Sequence, residues 1–103
     1  MNGIEMIAAE RQRQVEVEGF DASHDADAYH DMQQLAWCAC YYAMPSELSL
    51  FEGGIMIDVH PVAMFPYSWD SRWAKRDGKS RIRQLVVAGA LIAAEIDRLQ
   101  VEV

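Results

Sequence analysis

Residues 87–94 read Val-Ala-Gly-Ala-Leu-Ile-Ala-Ala, and this stretch decides the fold. It lies inside an amphipathic segment, residues 80–103, whose apolar and small residues recur at close to the 3.6-residue period of a helix. Because small side chains let a second helix approach closely, we expect this helix to be the centre of an all-α core, with its apolar stripe buried. The predicted stripe consists of Ile82, Leu85, Val86, Gly89, Ile92, Ala93, Ile96 and Leu99.

Two further helices are predicted on the N-terminal side of this segment. The first covers residues 4–18 and ends before Gly19, and the second covers residues 25–44 and ends before Pro45. Residues 46–79 form either a β-hairpin or an irregular insertion, since apolar residues alternate with polar ones on both sides of Gly53-Gly54. The predicted architecture is therefore all-α, with three main helices over 4–18, 25–44 and 80–100 in a single domain of 103 residues.

The charge of the chain is unevenly distributed. The net charge is −7, yet residues 72–83 carry six basic side chains and one acidic one, which leaves −12 for the rest of the chain. A uniformly acidic protein would suggest solubility or mimicry of nucleic acid toward a basic partner, whereas an acidic protein with one basic patch suggests a local anion site or self-association of unlike surfaces. At this overall charge, duplex DNA binding is not expected. The second helix is apolar on all sides from Leu35 onward, which predicts a homodimer.

The cysteines and the apolar runs bear on location. Cys38 and Cys40 point to opposite sides of a helix and cannot pair with each other, which fits a reducing compartment. The longest apolar runs are about half as long as a membrane span, and the N-terminus lacks the features of a signal peptide. We therefore expect a soluble protein of the cytoplasm that does not contact a membrane.

A first candidate site is a polar trio that continues the apolar face of the first helix: Arg11, Gln14 and Glu18. In one interpretation the helix leaves the core after Ala8, and these groups are solvated or paired with each other. In the other, they line a polar pocket where Arg11 binds an anion and Gln14 fixes its orientation.

Acidic and imidazole groups form a second candidate site. His24 and Asp25 begin a dense His-Asp segment, and Glu95 and Asp97 flank the stripe of the last helix. Together with Glu18, these groups could hold Mg²⁺ or Mn²⁺. Alternatively, the acids near Asp25 complement the dipole of the second helix, and those of the last helix are ordinary flanking charges.

The third candidate site combines aromatic and basic residues before the last helix. Trp69 and Trp73 could stack on a base, while Lys79 and Arg81 could bind phosphate beside the helix start at Ser80. Alternatively, a tryptophan-rich loop folds over the core and leaves a solvated basic flank.

Both ends of the chain resemble a widespread group of small phage and prophage proteins, mostly without an assigned function. The resemblance is carried by residues 7–14 (Ile-Ala-Ala-Glu-Arg-Gln-Arg-Gln), by Glu18-Gly19-Phe20 with His24-Asp25, and by residues 85–99. The region of Trp69 and Trp73 is similar to a tryptophan-rich segment of that group, and the stretch around Gly53-Gly54 looks like an insertion.

The same end segments are more distantly similar to MazG-like members of the all-α nucleoside triphosphate pyrophosphohydrolases. That resemblance implies an oligomeric helical protein that hydrolyses nucleotides with Mg²⁺ held by a Glu-Glu-x-x-Glu motif and a later acidic pair. The motif is absent here: the second helix carries Asp31, Gln33 and Gln34 instead, and only Glu95 and Asp97 match the later acids.

Three functions follow from these observations. The first is a phage-encoded, non-catalytic protein that counters host defence, either by sequestering a nucleotide signal or by blocking a defence protein complex with its acidic face from Glu16 to Asp31. The second is a variant MazG-like pyrophosphohydrolase that uses Mg²⁺ or Mn²⁺. The third is a structural or assembly accessory protein of a phage.

Overall fold

The described part of the chain contains three α-helices, in agreement with the predicted all-α architecture. The structure is a computed structural model, and it describes residues 1–18, 33–45, 48–52, 55–66, 69 and 71–101. The helices are α1 (Gly3–Glu18), α2 (Gln34–Ala43) and α3 (Arg81–Val101). Short 3-10 helices cover Pro61–Met64 and Ser71–Trp73.

The N-termini of α1 and α3 have side-chain caps. Asn2 and Glu5 form a reciprocal capping box, in which each backbone N–H donates to the side chain of the other residue, at 3.0 and 2.9 Å. Ser80 caps α3 as predicted, because its hydroxyl accepts from the backbone N–H of Arg83 at 3.2 Å. These caps fix where both helices begin.

Of the two alternatives predicted for residues 46–79, the structure contains the β-hairpin. Strand β1 (Leu48–Glu52) pairs antiparallel with β2 (Ile55–Val59), and Leu50 lies opposite Ile57 in the register. The two glycines at positions 53 and 54 separate the strands in the sequence, as the turn signal indicated.

Helix α2 packs against α3, and their contact forms the core. Tyr41 adds an edge-to-face contact with Phe65, whose ring centroid lies 5.2 Å away. Alanine is frequent on both sides of the contact, which allows the two helices to approach closely. The buried cluster consists of Leu35, Cys38, Ala39, Tyr41, Tyr42, Val87, Ala88, Leu91 and Ala94.

The predicted apolar stripe of α3 is wrong as a description of its buried face. Of its members, Val86 is buried, but five large side chains are between 45% and 63% exposed: Ile82, Leu85, Ile92, Ile96 and Leu99. The face toward α2 instead runs through Val87, Ala88, Leu91 and Ala94. Residues 85–94 are apolar or small all round the helix, so periodicity did not determine which side would meet α2.

The predicted second helix is shorter in its described part. Gln33 has φ 62° and ψ 32°, a left-handed conformation that a continuous right-handed helix does not contain, so α2 begins at Gln34. The remainder of the predicted span, residues 25–32, lies outside the described residues.

Two arginines bind the C-terminal end of α2, and we call this arrangement the arginine clamp. Arg81 donates to the carbonyl oxygens of Ala43 and Met44 at 2.6 and 3.0 Å, and Arg76, which is buried, donates to Met44 as well. The last carbonyl groups of a helix lack partners within it, and cations are favourable at this end of its dipole. The clamp therefore joins the end of α2 to the start of α3 across the hairpin segment.

Candidate functional site: a buried charge network between the first and last helices

Helix α1 contacts α3 at Gly89. A Cβ atom added to Gly89 would lie 2.6 Å from Cδ1 and 2.8 Å from Cγ1 of Ile7, so the glycine makes room for this side chain. Beyond Ile7, the buried side chains of α1 are polar. Glu10 and Gln14 are only 2% and 4% exposed, whereas Ile4 is 80% exposed. The first helix therefore buries its polar continuation and exposes part of its apolar start.

Glu10 is the centre of this network. Its carboxylate accepts two hydrogen bonds from Arg13, each 2.9 Å long, and one from the Gln14 amide at 3.0 Å. Arg83 of α3 also donates to it, so the bond joins the two helices. Burial of a carboxylate is costly unless it is paired, and three donor side chains meet that requirement here.

The environment of Glu10 sets its ionisation. Burial raises its pKa, but the hydrogen bonds from Arg13 and Gln14 and the positive charge of Arg83 outweigh this effect, so the pKa of Glu10 lies below its ordinary value. Glu10 is thus held as a carboxylate and acts as an acceptor, which does not suit it to the role of a proton donor near neutral pH.

The two acids predicted as metal ligands on α3 have different partners. Asp97 accepts a hydrogen bond from Arg11 of α1 at 3.2 Å, while buried Glu95 accepts from Arg98 one turn further along α3. Residues two apart on a helix point to different sides. The structure therefore brings Arg11 and Asp97 together, but does not bring Glu95 and Asp97 to a common point.

Some acceptor capacity in this region is unused. The Gln14 side-chain oxygen and one carboxylate oxygen of Glu95 are buried and have no hydrogen-bond partner in the described part of the chain. Gln14 is buried as the pocket interpretation requires, but its amide N–H donates to Glu10.

The residues predicted as anion and base contacts before α3 are largely engaged in the fold. Arg81 forms the arginine clamp, and Lys79 is half-buried, with its carbonyl oxygen accepting from the Gln84 amide at 3.3 Å. Trp69 packs against the core and makes an edge-to-face contact with Phe65 at 6.3 Å. Trp73 ends the 3-10 helix Ser71–Trp73.

Part of the predicted metal set falls where the structure gives no description. His24 and Asp25 lie outside the described residues, and Glu18 is described only by its backbone at the end of α1. Within the described ranges, no group of three or more His, Cys, Asp and Glu side chains is placed to hold a metal ion. The same ranges contain no helix that is long and apolar enough to cross a membrane.

Sequence reasoning missed three residues of the buried charges: Glu10, Arg83 and Arg98. A usable signal existed for Glu10, because Arg13 and Gln14 follow it at the i+3 and i+4 positions where helical side chains meet. The same signal existed for Arg98, which follows Glu95 at i+3 on α3. Arg83 is 73 positions from Glu10 in the sequence, so the packing of α1 on α3 is what reveals it.

In chemical terms the arrangement connects helices through charge-assisted hydrogen bonds. Its guanidinium groups donate to carboxylates and carbonyl oxygens of the chain itself, so these donors are engaged within the fold. Comparisons of the chain with models of protein families, with curated proteins and with solved structures found no match.

Proposed function

We propose that this chain is a non-catalytic binding protein, encoded by a phage or prophage, that counters host defence by covering a basic surface of a defence protein complex. The phage resemblance of both chain ends motivates the setting. The observation that carries the proposal is the way in which the fold distributes its positive charge.

Six of the seven arginines of the chain donate to acceptors within the fold. The charge network and the arginine clamp account for Arg11, Arg76, Arg81 and Arg83. Arg13 donates to Glu10 and Arg98 donates to Glu95. The residues outside 72–83 carry a net charge of −12, so a partner that approaches the chain meets a predominantly acidic protein.

This distribution favours the protein-blocking mode over nucleotide sequestration. A nucleotide site needs cationic donors directed at its phosphates, whereas Arg11 and Arg81 donate to Asp97 and to the end of α2. An acidic surface instead suits a basic groove, where it raises the association rate and excludes a nucleic acid from the same place.

The proposal can be tested by phage infection. Host cells that carry single defence systems would be infected with phage in the presence and absence of this chain, and we expect plating efficiency to rise for the system whose complex it blocks. The informative variant neutralises the acidic segment, with Asp21, Asp25, Asp27 and Asp31 changed to Asn. A matched control removes the same charge elsewhere, with Glu47, Glu52, Asp58 and Asp70 changed to their amides.

We expect the segment variant to lose protection and the control to retain it. Complex formation with the purified target should weaken steeply as salt rises. If both variants protect as well as the original chain, the acidic segment is not the binding surface. If instead nucleotides quench the tryptophan fluorescence and the target does not bind, the sequestering mode replaces this proposal.

A further inference from the structure

One face of α3 is apolar and open to solvent. Ile82, Leu85, Ile92, Ile96 and Leu99 are each about half exposed, and we call them the α3 stripe. They lie on the side of α3 away from α2, and α1 meets this row at Gly89, where Ile7 lies against the helix. Monomeric proteins rarely expose large contiguous apolar patches, so a row of five aliphatic side chains on one helix marks an interaction surface.

The spacing of the α3 stripe is that of a helix–helix seam. Together with Gly89, its members are separated by 3, 4, 3, 4 and 3 residues, which is the a/d pattern of two helices packed along their length. Gly89 has no side chain, but Ile7 of α1 lies where its Cβ would be. The row is therefore continued across Gly89 by Ile7, over about five turns of α3.

The pattern is self-complementary when two copies run antiparallel. Ile82 of one copy then lies opposite Leu99 of the other, Leu85 opposite Ile96, and Gly89, with its covering Ile7, opposite Ile92. A single register satisfies every pair, since the numbers of each pair add to the same value.

Charge favours this antiparallel direction over the parallel one. Residues 72–83, which precede α3 and include its first three residues, carry a net charge of +5, whereas residues 95–103 carry three acids and one arginine, a net charge of −2. Positive charge near the start of a helix and negative charge near its end are the reverse of what the helix dipole favours, and the first turn of α3 contains no acidic residue. An antiparallel copy places the acidic end of one helix beside the basic end of the other.

We infer that the α3 stripe is the interface of a two-fold symmetric homodimer in which the two α3 helices pack antiparallel across Gly89. The five exposed side chains supply roughly 300 Å² of apolar surface per copy. With a polar rim of the usual proportion, the interface comes to roughly 1,000 Å² in total, the lower bound for a specific complex. An interface of this size is at the weak, transient end of specific complexes, so association is expected to depend on concentration.

The first test measures mass against concentration. Sedimentation or light scattering should show the wild-type chain changing from 11.7 kDa toward twice that mass as its concentration rises through the micromolar range. Ile92→Glu combined with Ile96→Glu should raise the dissociation constant by about 100-fold or more, because it places charges in the seam. Val62→Glu is the matched control, because Val62 is similarly exposed but lies outside α3.

The second test distinguishes direction. In a Cys40→Ser background, mixing the single variants Leu85→Cys and Ile96→Cys should give the 85–96 disulfide and little 85–85 product. Abundant 85–85 and 96–96 disulfides would mean parallel packing and would overturn the inference. A wild-type chain that is monomeric at all concentrations would overturn it as well. An Ile92→Glu, Ile96→Glu variant that still dimerises would also overturn the inference. So would a variant that unfolds at much lower temperature than a monomeric wild type, because residues of the same chain would then cover the α3 stripe.

Discussion

The contact between Ile7 and Gly89 allows a test of how α1 is held. Glycine inside a helix costs about 0.8–1.0 kcal/mol relative to alanine, so Gly89→Ala alone should stabilise α3 by that amount. The added Cβ, however, would lie within 3.3 Å of three carbons of Ile7, so a shift of its terminal methyl alone does not relieve the contact. Overpacking of this kind costs about 1–3 kcal/mol. We therefore expect Gly89→Ala to be neutral or to destabilise the protein by up to roughly 2 kcal/mol.

The same substitution should have the opposite sign once Ile7 is truncated. In an Ile7→Ala background the space beside Gly89 is open, and Gly89→Ala should recover its propensity gain of about 1 kcal/mol. For a domain of this size, that gain corresponds to a rise of about 4–8 °C in melting temperature. Gly3→Ala is a control, because a Cβ there meets nothing within 4 Å.

The assay is thermal unfolding followed by circular dichroism for the wild type, both single variants and the double variant, all at one protein concentration. The double-mutant cycle yields a coupling free energy between positions 7 and 89, expected to be about 1–3 kcal/mol. If Gly89→Ala raises the melting temperature equally in both backgrounds, α1 does not lie against Gly89 and the described packing is wrong.

Three further predictions concern ionisable groups and thiols. Glu10→Gln should lower the free energy of unfolding at pH 7 by about 1.5–3 kcal/mol. Because the pKa of Glu10 is depressed in the folded state, this difference from the wild type is present above the unfolded pKa and is lost as pH falls through the folded pKa. Urea titrations at several pH values measure the difference, and a difference that widens in acid would contradict the prediction. Arg81→Ala should destabilise the C-terminal end of α2 by about 1–2 kcal/mol, which faster amide hydrogen exchange at that end would show. If the exchange rates do not change, the arginine clamp does not stabilise α2. Cys38 is buried, which raises its pKa to about 12, whereas Cys40 is exposed, so a thiol reagent at pH 8 should modify one group in the native protein and none after Cys40→Ser.

The elements of this fold could be predicted because their ends carry local chemical signals. Ser80 begins α3 through a hydroxyl cap, Pro45 follows the end of α2, and Gly53-Gly54 separates two strands that pair. Each signal acts within a few residues, so it is legible in the sequence.

The faces of the helices could not be predicted in the same way. In α3, small and apolar residues surround the axis, and the choice between the Leu91 side and the Ile92 side depends on where α1 and α2 pack. The pairing of the buried charges could not be predicted either, because Glu10 and Arg83 are 73 positions apart and meet only when α1 contacts α3. Arg11 and Gln14 stood out in the sequence as candidate site residues. The partner of Arg11, Asp97, lies on a helix whose position periodicity cannot determine, whereas Gln14 donates to Glu10 of its own helix.

The arginine clamp has a consequence for how this chain tolerates change. Its bonds between Met44 and Arg81 close a chain excursion of 36 residues, positions 45–80. The entropy of closing such an excursion grows only slowly with length, by about 0.6 kcal/mol for each doubling. Phe65 and Trp69 pack the second half of this 36-residue segment against the core, so we expect insertions and deletions to be tolerated best in the strand pair at 48–59. That pair is accordingly a place where evolution or an engineer can graft a new recognition loop while α2 and α3 stay joined by the arginine clamp.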